Sequence, residues 1–404
     1  MKSLSGRQSF EAFKANTYFD ALDGLRAVSI LMVLFLHVPK YPASDFLHTL
    51  QENGRYGVSF FFVISGFLIC TLFLREEEKT GRIDLWKFYG RRALRLLPLY
   101  YASLLLQAVV VFALHQYTPE NQQLFRDKLP AYLFYYSNWL ATATQGPFFQ
   151  AWSLAVEEQF YLVFGLLLFF TSRRFIVGTA LAALFVKFSV YSVFGNVDAN
   201  STLWRVVFSY QEPILFGVLT AFALNCRPYW EFFARWLGRA WTLAGLGAGT
   251  AAWLVFHSVQ NESSWDAQLL YLLMTLMLIG LVVRPATPVL GDRFMVHVGK
   301  VSYGIYLLHM FIISAVKKIP GGNLPMLCFL VSSIAVIAVA SLVYQYFERP
   351  IIARYKRKLS PLDAGPAETG TARAIPAEAI PALVHVNAAS PLATSSNEIT
   401  LTSG

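Results

Sequence analysis

The sequence predicts an all-α, polytopic integral membrane protein of about ten transmembrane helices, with one short re-entrant or interfacial segment. Three observations carry this. Only 14% of the 404 residues are charged and 56% are hydrophobic, whereas a soluble chain carries roughly 25% charged residues. Mean hydropathy is +0.48, and the apolar residues come in long blocks of span length, not at amphipathic spacing. Lys and Arg gather between alternate blocks, as expected where one side of the bilayer retains positive loops.

Ten spans follow, at about 25–39, 56–74, 96–114, 152–171, 175–194, 204–224, 241–258, 267–283, 302–316 and 324–346. The stretch 131–143, AYLFYYSNWLATA, is apolar and aromatic but shorter than the roughly 17 residues a crossing needs. It reads as a re-entrant or interfacial piece. With the N-terminus inside, the inner segments then hold 24 of the 33 Lys and Arg residues and the outer segments 7. That bias predicts both termini cytoplasmic.

Residues 1–19 form a cytoplasmic segment and 20–350 the membrane domain, with 351–404 a disordered cytoplasmic tail rich in Ala, Pro, Ser and Thr. The opening MKSLSGRQSFEAFKAN lacks the apolar run of a cleavable signal, so the first span is expected to direct insertion. Cys70, Cys226 and Cys328 are scattered and predict neither a disulfide framework nor a metal site. The net charge of +9 is read as loop bias, not as a nucleic-acid surface. No internal repeat, Gly-rich phosphate loop, HExxH or GxSxG is present.

Polar residues inside the apolar blocks are the functional candidates. His37 ends the run Ala27–Leu36, and Arg26 lies eleven residues before it, about 16 Å along a helix or roughly half the hydrocarbon thickness. A neutral imidazole bridging two helices is the structural alternative. In GVSFFFVISGFLIC, the pair Ser65-Gly66 permits close approach of a helix or a ligand. The loop REEEKTGRIDLWKFYGRRALRLLPLYY carries Arg91, Arg92 and Arg95. Arg92 and Arg95 are i, i+3 on one face and make a fork suited to phosphates; topology anchoring explains the charge equally. Pro98 is expected near the start of its span, where it costs little.

AWSLAVEEQFYLVFG brings Trp152, Ser153, Glu157, Glu158 and Gln159 into one block. A carboxylate there could hold the His37 ring in one tautomer or stabilise its cation. Glu212, in SYQEPILFG, is a second buried carboxylate candidate, and VSYGIYLLHMF supplies Tyr303, Tyr306 and His309. Structural hydrogen bonding is an equal reading for each.

In order along the chain, DALDGLRAVSILMVLFLH, FFVISGFLI, FYGRRALRLLPLYY, WSLAVEEQFYL, SYGIYLLH and FERP together resemble the acyltransferase-3 family of polytopic membrane acyltransferases over about residues 20–350. The resemblance implies transfer of an acyl group, commonly acetyl from acetyl-CoA, to a hydroxyl of a carbohydrate or glycolipid acceptor, in the inner membrane of a bacterium. It implies His37 as the catalytic histidine, Arg26, Arg92 and Arg95 as the basic motifs and Glu157 as the acidic position of the WSL motif. Many relatives carry an extracytoplasmic SGNH hydrolase domain after the last span. This sequence continues only into a short tail, so a stand-alone transferase is expected.

These readings combine into one expectation. The phosphates of acyl-CoA, a donor substrate and not a cofactor, rest on Arg26, Arg91, Arg92 and Arg95. The pantetheine arm threads to His37, which removes the acceptor hydroxyl proton. Glu157 orients or charge-balances the ring. Trp152, Ser153, Glu212, Tyr303, Tyr306 and His309 bind the acceptor or support the site. An acyl-histidine intermediate stays open, and so does the rival reading of a transporter or exporter of a lipid-linked glycan.

Overall fold

The computed structural model describes residues 9–16, 18–42, 46–81, 83–194, 201–257, 265–285 and 287–359, and every regular element among them is helical. The order is α1 (Phe10–Ala15), α2 (Asp20–His37), α3 (Phe46–Glu52), α4 (Tyr56–Thr80), α5 (Leu85–Ala108), α6 (Pro119–Leu133), α7 (Ala151–Phe170), α8 (Arg173–Phe194) and α9 (Thr202–Val207). It continues with α10 (Glu212–Leu224), α11 (Arg227–Leu237), α12 (Ala240–Phe256), α13 (Trp265–Val283), α14 (Arg293–Lys300), α15 (Ser302–Val316), α16 (Pro325–Val343) and α17 (Arg349–Leu359).

Among the described residues seven helical stretches are long and apolar enough to cross a membrane, or eight if the bent pair α14 and α15 counts as one span. The expected ten is therefore not reached on length and apolarity. Asp20, Asp23 and Arg26 dilute the 18 residues of α2, α12 has only 17 residues, and α14 meets α15 at 74°. Helix α5 begins at Leu85, ahead of the expected span, which puts Pro98 in the helix interior. The helix Arg349–Leu359 enters the segment assigned to the tail; residues 360–404 lie outside the described residues.

Segment 131–143 forms no continuous span-length helix. Helix α6 starts at a Thr118 cap with Pro119 in its first turn and stops at Leu133. A single tight turn, Ser137–Trp139, follows, and the chain re-enters helix at Ala151. Buried Lys128 donates to the carbonyls of Thr142 and Gln145, satisfying backbone groups that a non-helical path inside protein leaves open.

Close helix crossings fix the frame. A methyl group on Gly66 would strike the Ile214 carbonyl, and one on Gly217 the Val63 carbonyl, so α4 and α10 meet backbone to backbone as small residues allow. The run Arg75-Glu76-Glu77-Glu78 ends α4 as a tie-point for three elements. Glu76 pairs with Arg91 of α5 at 3.3 Å, Glu77 with Arg173 of α8 at 2.7 Å, and Glu78 with Lys14 of α1. Arg75 donates to the Phe13 carbonyl at 2.7 Å and to that of Asn16. Phe13 in turn stacks on buried Trp230 of α11 with centroids 4.5 Å apart.

Candidate active site

Arg26 and His37 lie on one helix and, eleven residues being close to three turns, on one face of it. His37 is the last residue of α2. Its Nδ1 lies 2.8 Å from the Val33 carbonyl. A carbonyl only accepts, so Nδ1 carries the proton and Nε2 keeps a bare lone pair. Lys317 donates to the His37 carbonyl at 3.2 Å, filling one of the open acceptors at the end of α2. The ring packs 5.5 Å from Phe149 of the re-entrant segment and 5.0 Å from His309 of α15, centroid to centroid.

His309 is fully buried. Its Nδ1 donates to the Tyr306 carbonyl at 2.6 Å and its Nε2 has no partner. One turn earlier in α15, the Tyr306 hydroxyl lies 2.6 Å from Ser153 Oγ and donates to the Gln150 carbonyl at 3.1 Å. The WSL stretch and SYGIYLLH, 153 residues apart, thus meet at the floor of the His37 site. Trp152 points elsewhere, edge-on to Phe62 at 6.4 Å.

Glu157 does not reach His37. It accepts from Ser65 at 2.5 Å and from Tyr161, so the expectation that it orients the imidazole is corrected. Glu157 lies six residues into α7, where Ser65 of α4 faces it. Arg92 caps the Tyr161 ring at 4.7 Å, and Glu157 lies within electrostatic reach of both Arg26 and Arg92. It faces the arginines, not the imidazole.

The basic candidates divide. Arg26 is 3.8 Å from Asp23, which also accepts from Tyr18 at 2.7 Å, and Arg26 sits 5.9 Å over Phe61. Arg95 shares the field of Arg26, Asp23 and Glu348, which draws the closing FERP into the same end. Arg91 turns away to Glu76 and is more than a third exposed. Tyr303 donates to the Leu96 carbonyl at 2.8 Å, tying α15 to α5 between the two ends.

Glu212 is in another place. It opens α10 and meets Lys187 of α8 at 2.9 Å, both side chains buried. Lys187 also donates to the carbonyls of Tyr210 (2.8 Å) and Phe208 (3.3 Å), freed where α9 breaks from α10. This is a clamp on an interrupted helix, not a group facing His37. Sequence reasoning missed Lys187, although a lone lysine in a span is itself a signal. It missed Asp23 likewise, and it had no means of finding Phe149. No three His, Cys, Asp or Glu side chains gather as a metal site among the described residues.

One polar tract therefore runs from an arginine-rich end (Arg26, Arg92, Arg95) through Glu157 and Tyr306 to a pair of imidazoles, inside an apolar helical frame. A tract of that kind, over residues that include every one of the ordered motifs, defines a membrane-embedded acyltransferase domain. The chain belongs to the acyltransferase-3 family, whose model, described as an acyltransferase domain, matches residues 19–345. It is similar to the O-acetyltransferase OatA of Staphylococcus aureus (strain NCTC 8325), with 28% identity over 358 residues, 83% of this chain and 57% of that protein. A second S. aureus protein with an O-acetyltransferase name (strain COL) is 29% identical over 372 residues, 86% of this chain and 59% of its own length. The chain thus spans about three fifths of the length of these relatives. No solved structure matches it.

Proposed function

We propose that this integral membrane protein moves an acyl group, acetyl by analogy with the names of its relatives, from acyl-CoA to a hydroxyl of a carbohydrate-type acceptor. His37 is the general base. The observation that carries this reading is the bare Nε2 of His37, held in that tautomer by the Val33 carbonyl, at the opposite end of α2 from Arg26.

The donor's phosphates rest on Arg26, Arg92 and Arg95, which supply charge and planar donors. Arg91, tied to Glu76, contributes field only. The acceptor hydroxyl gives its proton to His37 Nε2 as its oxygen attacks the thioester carbonyl. The tetrahedral centre collapses, the C–S bond breaks, and the departing thiolate takes the proton back from the imidazolium. Ester and CoA thiol leave, and the ring is neutral again. Ser153 and Tyr306 hold the floor, and no cofactor is needed.

The protein sits in the bacterial inner membrane with both termini cytoplasmic, which puts the arginine end on the side where acyl-CoA is made. A cysteine in place of Glu77, in a variant without Cys70, Cys226 and Cys328, should be shielded from impermeant thiol reagents in intact cells. The direct test is acetyl-CoA consumption by the purified protein with envelope glycan present. His37→Ala is expected to abolish it at normal expression, and near-normal product from that variant would sink the assignment.

A further inference from the structure

The arginine end of α2 holds a further cation, which the transfer reading does not use. Lys300 is the last residue of α14. A methyl group on Gly299, the residue before it, would strike the Asp23 carbonyl, and one on Gly24 would strike the carbonyl of Leu290. The chain from Leu290 to Lys300 therefore meets α2 backbone to backbone at Asp23-Gly24, as small residues allow. Lys300 is held beside the first turn of α2. Its Nζ lies 5.4 Å from the centre of the Tyr18 ring, and the Tyr18 hydroxyl donates to Asp23 at 2.7 Å.

Three cations share one carboxylate here. Asp23 lies within electrostatic reach of Arg26, Arg95 and Lys300. Its two oxygens are already engaged, Oδ2 by the Tyr18 hydroxyl and Oδ1 by Arg26 at 3.8 Å. The Lys300 ammonium is left with no ion pair and no hydrogen bond among the described residues. Asp23 is only 1% exposed, whereas Tyr18, Arg26, Arg95 and Lys300 are half-buried. The carboxylate is enclosed, and the cations keep a face that a ligand can reach. Charges withdrawn from water in this way call for a partner of opposite sign.

We propose that Lys300 is the specificity-determining residue for the 3′-phosphate of the acyl-CoA donor; the inference rests on the donor reading above. CoA carries two kinds of phosphate. The diphosphate joins the pantetheine arm to the ribose. The 3′-phosphate hangs on the ribose beyond it and is a monoester, with a charge of about −1.5 to −2 at neutral pH. With the thioester at His37, it is the phosphate farthest along the donor. Asp23 precedes Arg26 by three residues, about 4.5 Å further from His37 along α2, and Lys300 stands at that level. The planar forks of Arg92 and Arg95 suit the diphosphate oxygens. An ammonium is a compact point charge with three rotatable donors, which suits a terminal phosphate with three free oxygens.

The test is calorimetric binding of CoA and of 3′-dephospho-CoA to the full chain in phosphatidylcholine nanodiscs, with no acceptor present. Wild type should hold CoA roughly ten- to a hundredfold more tightly than dephospho-CoA. Lys300→Met should lose most of that preference by weakening CoA alone; unchanged dephospho-CoA binding shows that the variant is folded. Lys300→Arg, which keeps the charge, should retain the preference. Arg92→Gln should weaken both ligands alike and leave their ratio standing. A wild-type ratio near one, a ratio that survives Lys300→Met, or an equal loss of both ligands in that variant would each overturn the assignment and leave the donor reading intact. Adding phosphatidylglycerol to the nanodiscs should not change the ratio; a ratio erased by it would give this place to a lipid phosphate. Wild type that binds neither ligand would refute the donor reading, and the subsite with it.

Discussion

His309 presents its ring to His37 at 5.0 Å and 62°, and neither Nε2 has a partner among the described residues. Both Nδ1 atoms are committed to backbone carbonyls of the preceding turn. In the proposed reaction His37 takes a proton from the acceptor, and the unpartnered Nε2 belongs to the neighbouring ring of His309.

The proposed reaction makes His309 a positioning residue, with a share of the rate that can be measured. A hydrogen bond to a charged group contributes about 1.5–3 kcal/mol, so His309→Phe, which keeps a ring against Tyr306, should lower acyl transfer by roughly ten- to a hundredfold. The double variant with His37→Ala should be no slower than His37→Ala alone, because the two act as a unit. Additive losses in single-turnover assays would show that His309 works independently.

The three arginines of the FYGRRALR stretch should separate in kinetics. Arg92→Gln and Arg95→Gln are expected to raise the acyl-CoA requirement by roughly ten- to a hundredfold and to leave the acceptor requirement nearly unchanged. Lys should rescue in part, since it restores charge without the planar fork. Arg91→Gln, already paired with Glu76, should change either requirement less than threefold, as exposed pairs contribute only about 0–1 kcal/mol. Equal effects at Arg91 and Arg92 would remove the geometric basis for a donor site.

Glu157 ties α7 to α4. Glu157→Ala strands the donors of half-buried Ser65 and buried Tyr161, at up to about 1–3 kcal/mol for a buried group left unsatisfied. Thermal unfolding in detergent should show a clear loss for Glu157→Ala and a smaller one for Glu157→Gln, which still accepts both bonds. Equal melting temperatures for Ala and wild type would contradict this role.

Gly66 and Gly217 bring α4 and α10 together backbone to backbone. Gly66→Ala or Gly217→Ala should cost at least the ~1–3 kcal/mol of ordinary overpacking, because the obstacle is a carbonyl and not a flexible side chain. Gly178→Ala, with open space around the added methyl, is the matched control and should be neutral or stabilising.

Breaking the Lys187–Glu212 pair by Lys187→Met should cost about 3–5 kcal/mol. Adding Glu212→Gln should recover only part of it, because the carbonyls of Phe208 and Tyr210 lose the same ammonium. Melting of the single and double variants measures the difference; full recovery would mean that the carbonyl bonds contribute nothing.

Much of this was legible in one dimension. Long apolar blocks dictate helices, since only helices satisfy every backbone group within one segment. The shortness of 131–143 announced that it makes no span-length helix, because a crossing has a minimum length. The motifs exposed His37 and the arginines, as ionisable residues placed in apolar runs at a cost. The number of spans was less legible. Charges in α2 and the 74° bend at α14 and α15 blur hydropathy, which averages over a window and cannot see a kink.

The partners of each polar group were decided only by the fold. Nothing in the spacing says that Glu157 turns to Ser65, that Glu212 faces Lys187, or that His309 meets His37 from 272 residues away. A side chain's periodicity gives its face on its own helix; which other helix lies opposite depends on crossing geometry set by glycines and bulky neighbours elsewhere. By itself the sequence determined the solvent this protein folds in, the family it resembles and the residue types it brings to chemistry. The tertiary structure decided which carboxylate balances which arginine and which lone pair faces the base, because directional, short-range interactions act only between groups that packing has already brought together.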